Sequence, residues 1–134
     1  MKLLKATDVS ESELNSFIGQ HDWFQKIEVL NENTSYVIRD GQTIISWFQL
    51  ESIDYDRYWL KKLFISQNEA LKLPSVLLTI IEYTKQKNAR TIYVNSKQPV
   101  TDLLLSSFAF TLQSPDALFP FQEEREGNWW YFDF

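Results

Sequence analysis

Tyr36-Val37-Ile38-Arg39-Asp40-Gly41-Gln42-Thr43-Ile44-Ile45-Ser46-Trp47-Phe48-Gln49-Leu50 carries the strongest local signal in the chain. Residues with strand preference fill 36–39 and 43–50, on either side of Asp40-Gly41, a pair that supplies the positive φ angles a tight hairpin requires. A second turn at 52–56 leads into an apolar run at 57–65, so the spacing predicts three consecutive strands in an antiparallel meander.

Upstream of the meander, residues 2–7 suit a first strand, and Asp8 or Ser10 can cap a helix over 11–18 with Leu14, Phe17 and Ile18 on one face. Gly19 closes that helix, 21–24 reads as a short helical turn and 31–34 as a polar loop. Downstream, Ser66 and Glu69 form a Ser-x-x-Glu pattern that can cap a helical turn, and Pro74 suits the first position of the main helix over 74–88. Val76, Leu77, Ile80 and Ile81 share one face of it. A buried-type strand at 91–94, a helix at 99–109, a brief strand at 110–113, a loop at 114–127 and a closing strand at 129–134 complete the chain.

The 134 residues, 44% of them hydrophobic, suffice for one sizeable core, and one domain over 1–134 is expected. With no cysteine, the sequence has neither disulfides nor thiolate nucleophiles, and a reducing, cytoplasmic setting is the plain expectation. His21 is the single histidine, so no metal site is expected. A net charge of −5 argues against a nucleic-acid partner, and the absence of an apolar run of membrane length argues against a membrane one. His21, Asp22 and a nearby serine make a triad only on paper, because no Gly-x-Ser-x-Gly elbow presents a serine nucleophile.

The order of strand, helix, three-strand meander, helix, strand, helix, strand, strand resembles the GNAT N-acetyltransferase superfamily over nearly the whole chain. Lys62-Leu63-Phe64-Ile65-Ser66, a turn, and then Val76-Leu77-Leu78-Thr79-Ile80-Ile81-Glu82-Tyr83 resemble the family's central strand and helix. Thr91-Ile92-Tyr93-Val94-Asn95 resembles its next strand, and 104–110 its penultimate helix with the strand after it. The resemblance implies an α/β (α+β mixed) fold with a mostly antiparallel central sheet and helices on both faces. It also implies acetyl-coenzyme A as cofactor and an amine on a small molecule or peptide as acyl acceptor.

By the same resemblance, Leu63, Phe64 and Ile65 would line the pantetheine arm, Lys72, Ser75 and Val76 would meet the phosphates, and Glu51 would take the acceptor's proton. The family places glycines in the phosphate loop, where they let backbone N–H groups approach the anion. The corresponding 67–74 here contains none, and Pro74 lacks an N–H. Leu105 stands where many members place a proton-donating tyrosine. The alternative is therefore a non-catalytic GNAT-like domain that binds a ligand or protein partner. The aromatic run at 129–134 is compatible with core packing, an acceptor pocket or a homodimer surface.

Overall fold

The computed structural model describes residues 1–19, 33–114 and 126–134. Its strands are β1 (Lys2–Lys5), β2 (Ser35–Asp40), β3 (Thr43–Ser52), β4 (Arg57–Ile65), β5 (Thr91–Ser96), β6 (Thr111–Leu112) and β7 (Asn128–Asp133). Among the described residues the α-helices are α1 (Glu11–Ile18), α2 (Leu73–Gln86) and α3 (Pro99–Ser107), and short 3₁₀ helices cover Ala6–Asp8 and Gln67–Lys72. The strands are hydrogen-bonded in the order β1-β2-β3-β4-β5-β7-β6. The recorded pairings are antiparallel except β4 with β5, which is parallel. This is the mixed, mostly antiparallel sheet with flanking helices that the sequence predicts. The readings at 21–24 and most of those at 31–34 and 114–127 lie outside the described residues.

Contacts divide the chain into two compact units, Met1–Leu50 with Lys62–Tyr83, and Glu51–Lys61 with Thr84–Phe134. In the first, Ser10 Oγ accepts the Glu13 N–H at 3.2 Å and starts α1, whose Leu14 and Phe17 pack on Val37, Ile44 and Trp47. Gly19 closes the helix with a right-handed φ of −64°, so it does not act through the left-handed conformation that favours glycine. The hairpin turns on Gly41-Gln42, one residue later than Asp40-Gly41, and positive φ falls on Gly41 alone, as in a type II′ turn. A register shift between Ile38 and Arg39 turns Ile44 to the face that carries Val37 and Trp47. The alternate face of the hairpin stacks Tyr36 on Phe48, and Tyr83 of α2 meets the Tyr36 ring edge-on. Helices α1 and α2 thus cover opposite faces of β2 and β3.

In the second unit β5 is paired by β4 through residues 57–60 and by β7 along its whole length. One face of β7 meets α3 and the segment after it. Trp130 Nε1–H donates to Asp102 Oδ1 at 2.7 Å, and the Phe132 ring lies 5.4 Å from Phe110. Burial pushes the Asp102 carboxyl up, but hydrogen bonds from Trp130, Ser96 and Asn128 outweigh it and hold the group below its ordinary value. Helix α3 stops two residues before the expected end because Ala109 adopts φ +66°. The Phe110 N–H then reaches Leu105 O and the Ala109 N–H reaches Ser106 O, the paired bonds of a Schellman cap. Leu105 and Phe110 are both buried at this cap.

The β3–β4 turn is held by charge. Asp54 accepts from Arg57 at 2.6 and 2.7 Å, and this guanidinium holds the Asp54 carboxyl at about 2, against 3.8 for the free group. A carboxyl depressed in the folded state adds stability above its unfolded value and loses it as pH falls. Thermal midpoints of the native chain and Asp54→Asn should therefore differ at pH 6 and converge between about pH 4 and pH 2.

Candidate coenzyme segment

The segment expected to hold the coenzyme lies wholly within the first unit: the end of β4, the 3₁₀ helix Gln67–Lys72 and the first turn of α2. Its base is firmly tied down. Ser46 Oγ donates to Phe64 O at 2.7 Å and the Ser66 N–H to Ile45 O at 2.9 Å, while the Phe64 ring stacks on Trp47 at 5.6 Å. Leu63, Phe64 and Ile65 are half-buried on β4, Val76 is buried, and Ser75 is exposed at the start of α2.

The helical turn expected after Ser66 is a six-residue 3₁₀ helix that runs directly into α2. The Glu69 N–H is taken by Ser66 O and the Leu73 N–H by Ala70 O. Ser66 makes no side-chain cap bond, and α2 begins at Leu73, which puts Pro74 second rather than first. Lys72 Nζ lies 2.7 Å from Asp40 Oδ2 and 2.8 Å from Glu69 Oε2, so the phosphate-facing cation of the sequence reading is clamped between two carboxylates. Asp40 and Glu69 hold the Lys72 ammonium above its ordinary pKa, and Lys72 in turn holds Asp40 below its own. Local sequence gave no sign of the Asp40 contact, which joins residues 32 apart.

The donor set can accept a phosphate at the cost of one exchange. Lys72 must trade a carboxylate for the phosphate, and the Ser75 hydroxyl at the α2 N-terminus is exposed to complete the contact. Glu51 belongs to the second unit, where its Oε2 lies 3.4 Å from Lys61 Nζ, and it stands near the end of β3. Leu105, where the resemblance would place a proton-donating tyrosine, is buried and offers no proton. Among the described residues there is no group of three or more His, Asp or Glu that could hold a metal, and no helix is long and apolar enough to cross a membrane.

No protein-family model and no curated protein sequence matches the chain. Solved structures do match, and they define its fold as that of the GNAT acetyltransferases. One is a GNAT-family acetyltransferase from Staphylococcus aureus, 18% identical, with a TM-score of 0.69 over 98% of each chain. A probable acetyltransferase from Staphylococcus epidermidis aligns at 17% identity with a TM-score of 0.66, covering 98% of this chain and 96% of that one. The Campylobacter jejuni N-acetyltransferase PseH in complex with acetyl coenzyme A aligns at 15% identity with a TM-score of 0.73, over 98% of this chain and 97% of that one.

Proposed function

We propose that the chain is an acyl-coenzyme A-dependent N-acyltransferase with a divergent phosphate site. The observation that supports this most is a fold shared along nearly the full length with acetyltransferases, one of them in complex with acetyl coenzyme A. The coenzyme supplies the acyl group as a thioester. Backbone groups of Leu63, Phe64 and Ile65 orient the pantetheine arm, Lys72 and Ser75 hold phosphate oxygens, and buried Val76 fixes the first turn of α2 beneath them. Glu51 takes a proton from the acceptor ammonium, so that a neutral amine is the attacking species.

One specific observation favours a second reading, a GNAT-like binding domain without transfer activity. The Gln67–Lys72 helix engages its own N–H groups at Glu69 and Leu73, and its lysine is already neutralised by Asp40 and Glu69. Thiol release from acetyl-coenzyme A in the presence of a panel of amines separates the two readings. With no cysteine in the chain, a thiol reagent gives no background from the protein. Amine-dependent release that falls at least tenfold in Glu51→Gln supports the transferase. Absence of release with every amine supports the binding domain.

A further inference from the structure

Neighbouring residues of a strand point to opposite faces, and at the end of β2 both of them are charged. Arg39 donates to the two carboxylate oxygens of Glu13 on α1, at 3.0 and 2.8 Å, while Asp40 meets Lys72 at 2.7 Å. The hairpin is thus strapped to an element on each face. Only the second strap involves a group that the proposed function needs elsewhere.

The two carboxylates on Lys72 differ in origin. Glu69 stands three residues back on the same 3₁₀ turn, 2.8 Å away, with its side chain 25% exposed. Asp40 reaches across from another element, and its side chain is 36% exposed. Glu69 therefore stays with Lys72 as part of one turn, whereas rotation about the side-chain bonds of Asp40 is enough to break the other contact. The backbone keeps its place, because Asp40 is paired with Thr43 in the β2–β3 ladder and the Arg39–Glu13 pair still holds the hairpin to α1. An ion pair this exposed is weak against a competitor. A diphosphate brings more negative charge and more acceptor oxygens than one carboxylate, and the exposed Ser75 hydroxyl adds a contact that Asp40 does not make.

We propose that Asp40 is an autoinhibitory counter-ion of the coenzyme segment: in the free protein it occupies the place of a phosphate on Lys72, and an incoming diphosphate displaces it while Glu69 remains. The proposal rests on the transferase reading for where the phosphates lie. It extends that reading to regulation, since every phosphate-bearing ligand of Lys72 is weakened by the same factor and the hairpin thereby sets the concentration at which the segment loads. Release of Asp40 also alters the surroundings of Gly41, the next residue.

Inorganic pyrophosphate tests this without the acyl group or the pantetheine arm. Selective ¹⁵N-glycine labelling of the full chain gives three amide signals, from Gly19, Gly41 and Gly127, and Gly41→Ala identifies the relevant one. As pyrophosphate replaces chloride at constant ionic strength, the Gly41 signal should move saturably and the Gly127 signal should not. In Glu69→Gln the Gly41 signal should still move, and in Lys72→Met pyrophosphate should leave it in place. Calorimetric titration should give about two- to fivefold tighter binding in Asp40→Asn than in the native chain, a gain that disappears when both chains carry Lys72→Met. The replaced side chains are all partly exposed, and the spectrum of each variant reports its folding. An unmoved Gly41 signal, movement that persists in Lys72→Met, or equal affinities of the native chain and Asp40→Asn would overturn the proposal. Failure of the transferase reading is distinct: the Gly41 response to pyrophosphate then stands, and acetyl-coenzyme A neither stabilises the chain nor releases thiol.

Discussion

Trp47→Ala should cost about 3–5 kcal/mol of stability and lower the thermal midpoint by about 10–20 °C. Trp47 is fully buried in the core cluster with Leu14, Phe17, Val37 and Ile44, and its ring stacks on Phe64 at 5.6 Å with planes 15° apart. Its removal leaves a cavity that α1, β2 and β3 cannot close together, because each is fixed by its own hydrogen bonds. Against a typical total of about 5–15 kcal/mol, that is a large share of what keeps the chain folded. Phe64 also loses the surface that positions it on β4, so the transferase reading predicts weaker coenzyme binding in whatever fraction remains folded. The matched control is Tyr55→Ala: Tyr55 is 89% exposed on the β3–β4 turn, and its removal should move the midpoint by no more than a degree or two. Differential scanning calorimetry of both variants measures the contrast.

Gly127→Ala should be nearly as damaging, by about 3 kcal/mol, for a backbone reason. Gly127 precedes β7 with φ +82°, and a Cβ there would lie 2.5 Å from the Ser96 carbonyl oxygen and 3.0 Å from Asn95 Oδ1. The first obstacle is backbone at the end of β5, which cannot rotate away, so either the β5–β7 register or the segment before it must give. Gly41→Ala isolates the two contributions. Gly41 has φ +62° but nothing within 4 Å of the added atom, so it should show only the positive-φ backbone strain, about 1–2 kcal/mol. Urea unfolding of the two variants, fitted with a common slope, gives the difference that belongs to close approach.

How much of this was legible depends on whether the determining contacts are local. Helix α1 spans Glu11–Ile18 as read from its Ser10 cap and apolar face, and β4 spans Arg57–Ile65 as read from its strand composition, because these signals lie within the elements themselves. For the 3₁₀ helix Gln67–Lys72 the Ser-x-x-Glu pattern signalled a helical turn, but six residues give too little periodicity to read its extent or its run into α2. Its lysine clamp depends on Asp40, whose carboxylate reaches Lys72 only after the hairpin has folded. The closing aromatic strand shows the same division. Alternation predicted two faces for it, but only the folded sheet sets buried Trp129 against Trp59 and ties Trp130 to Asp102. In the candidate site, the residue types were readable and their state was not: Lys72 bears the expected charge, already shared between two carboxylates.

The transferase reading rests on coenzyme binding at this segment, and thermal unfolding with and without millimolar acetyl-coenzyme A tests it most directly. Ligand at about 100 times its dissociation constant stabilises a fold by about 2.7 kcal/mol, which amounts to several degrees for a chain of this size. The account predicts such a rise with acetyl-coenzyme A, its loss in Ser75→Glu, where an added carboxylate meets the phosphates from an exposed position, and no comparable rise with ATP. An unchanged midpoint at every acetyl-coenzyme A concentration, or an equal rise in Ser75→Glu, would contradict it.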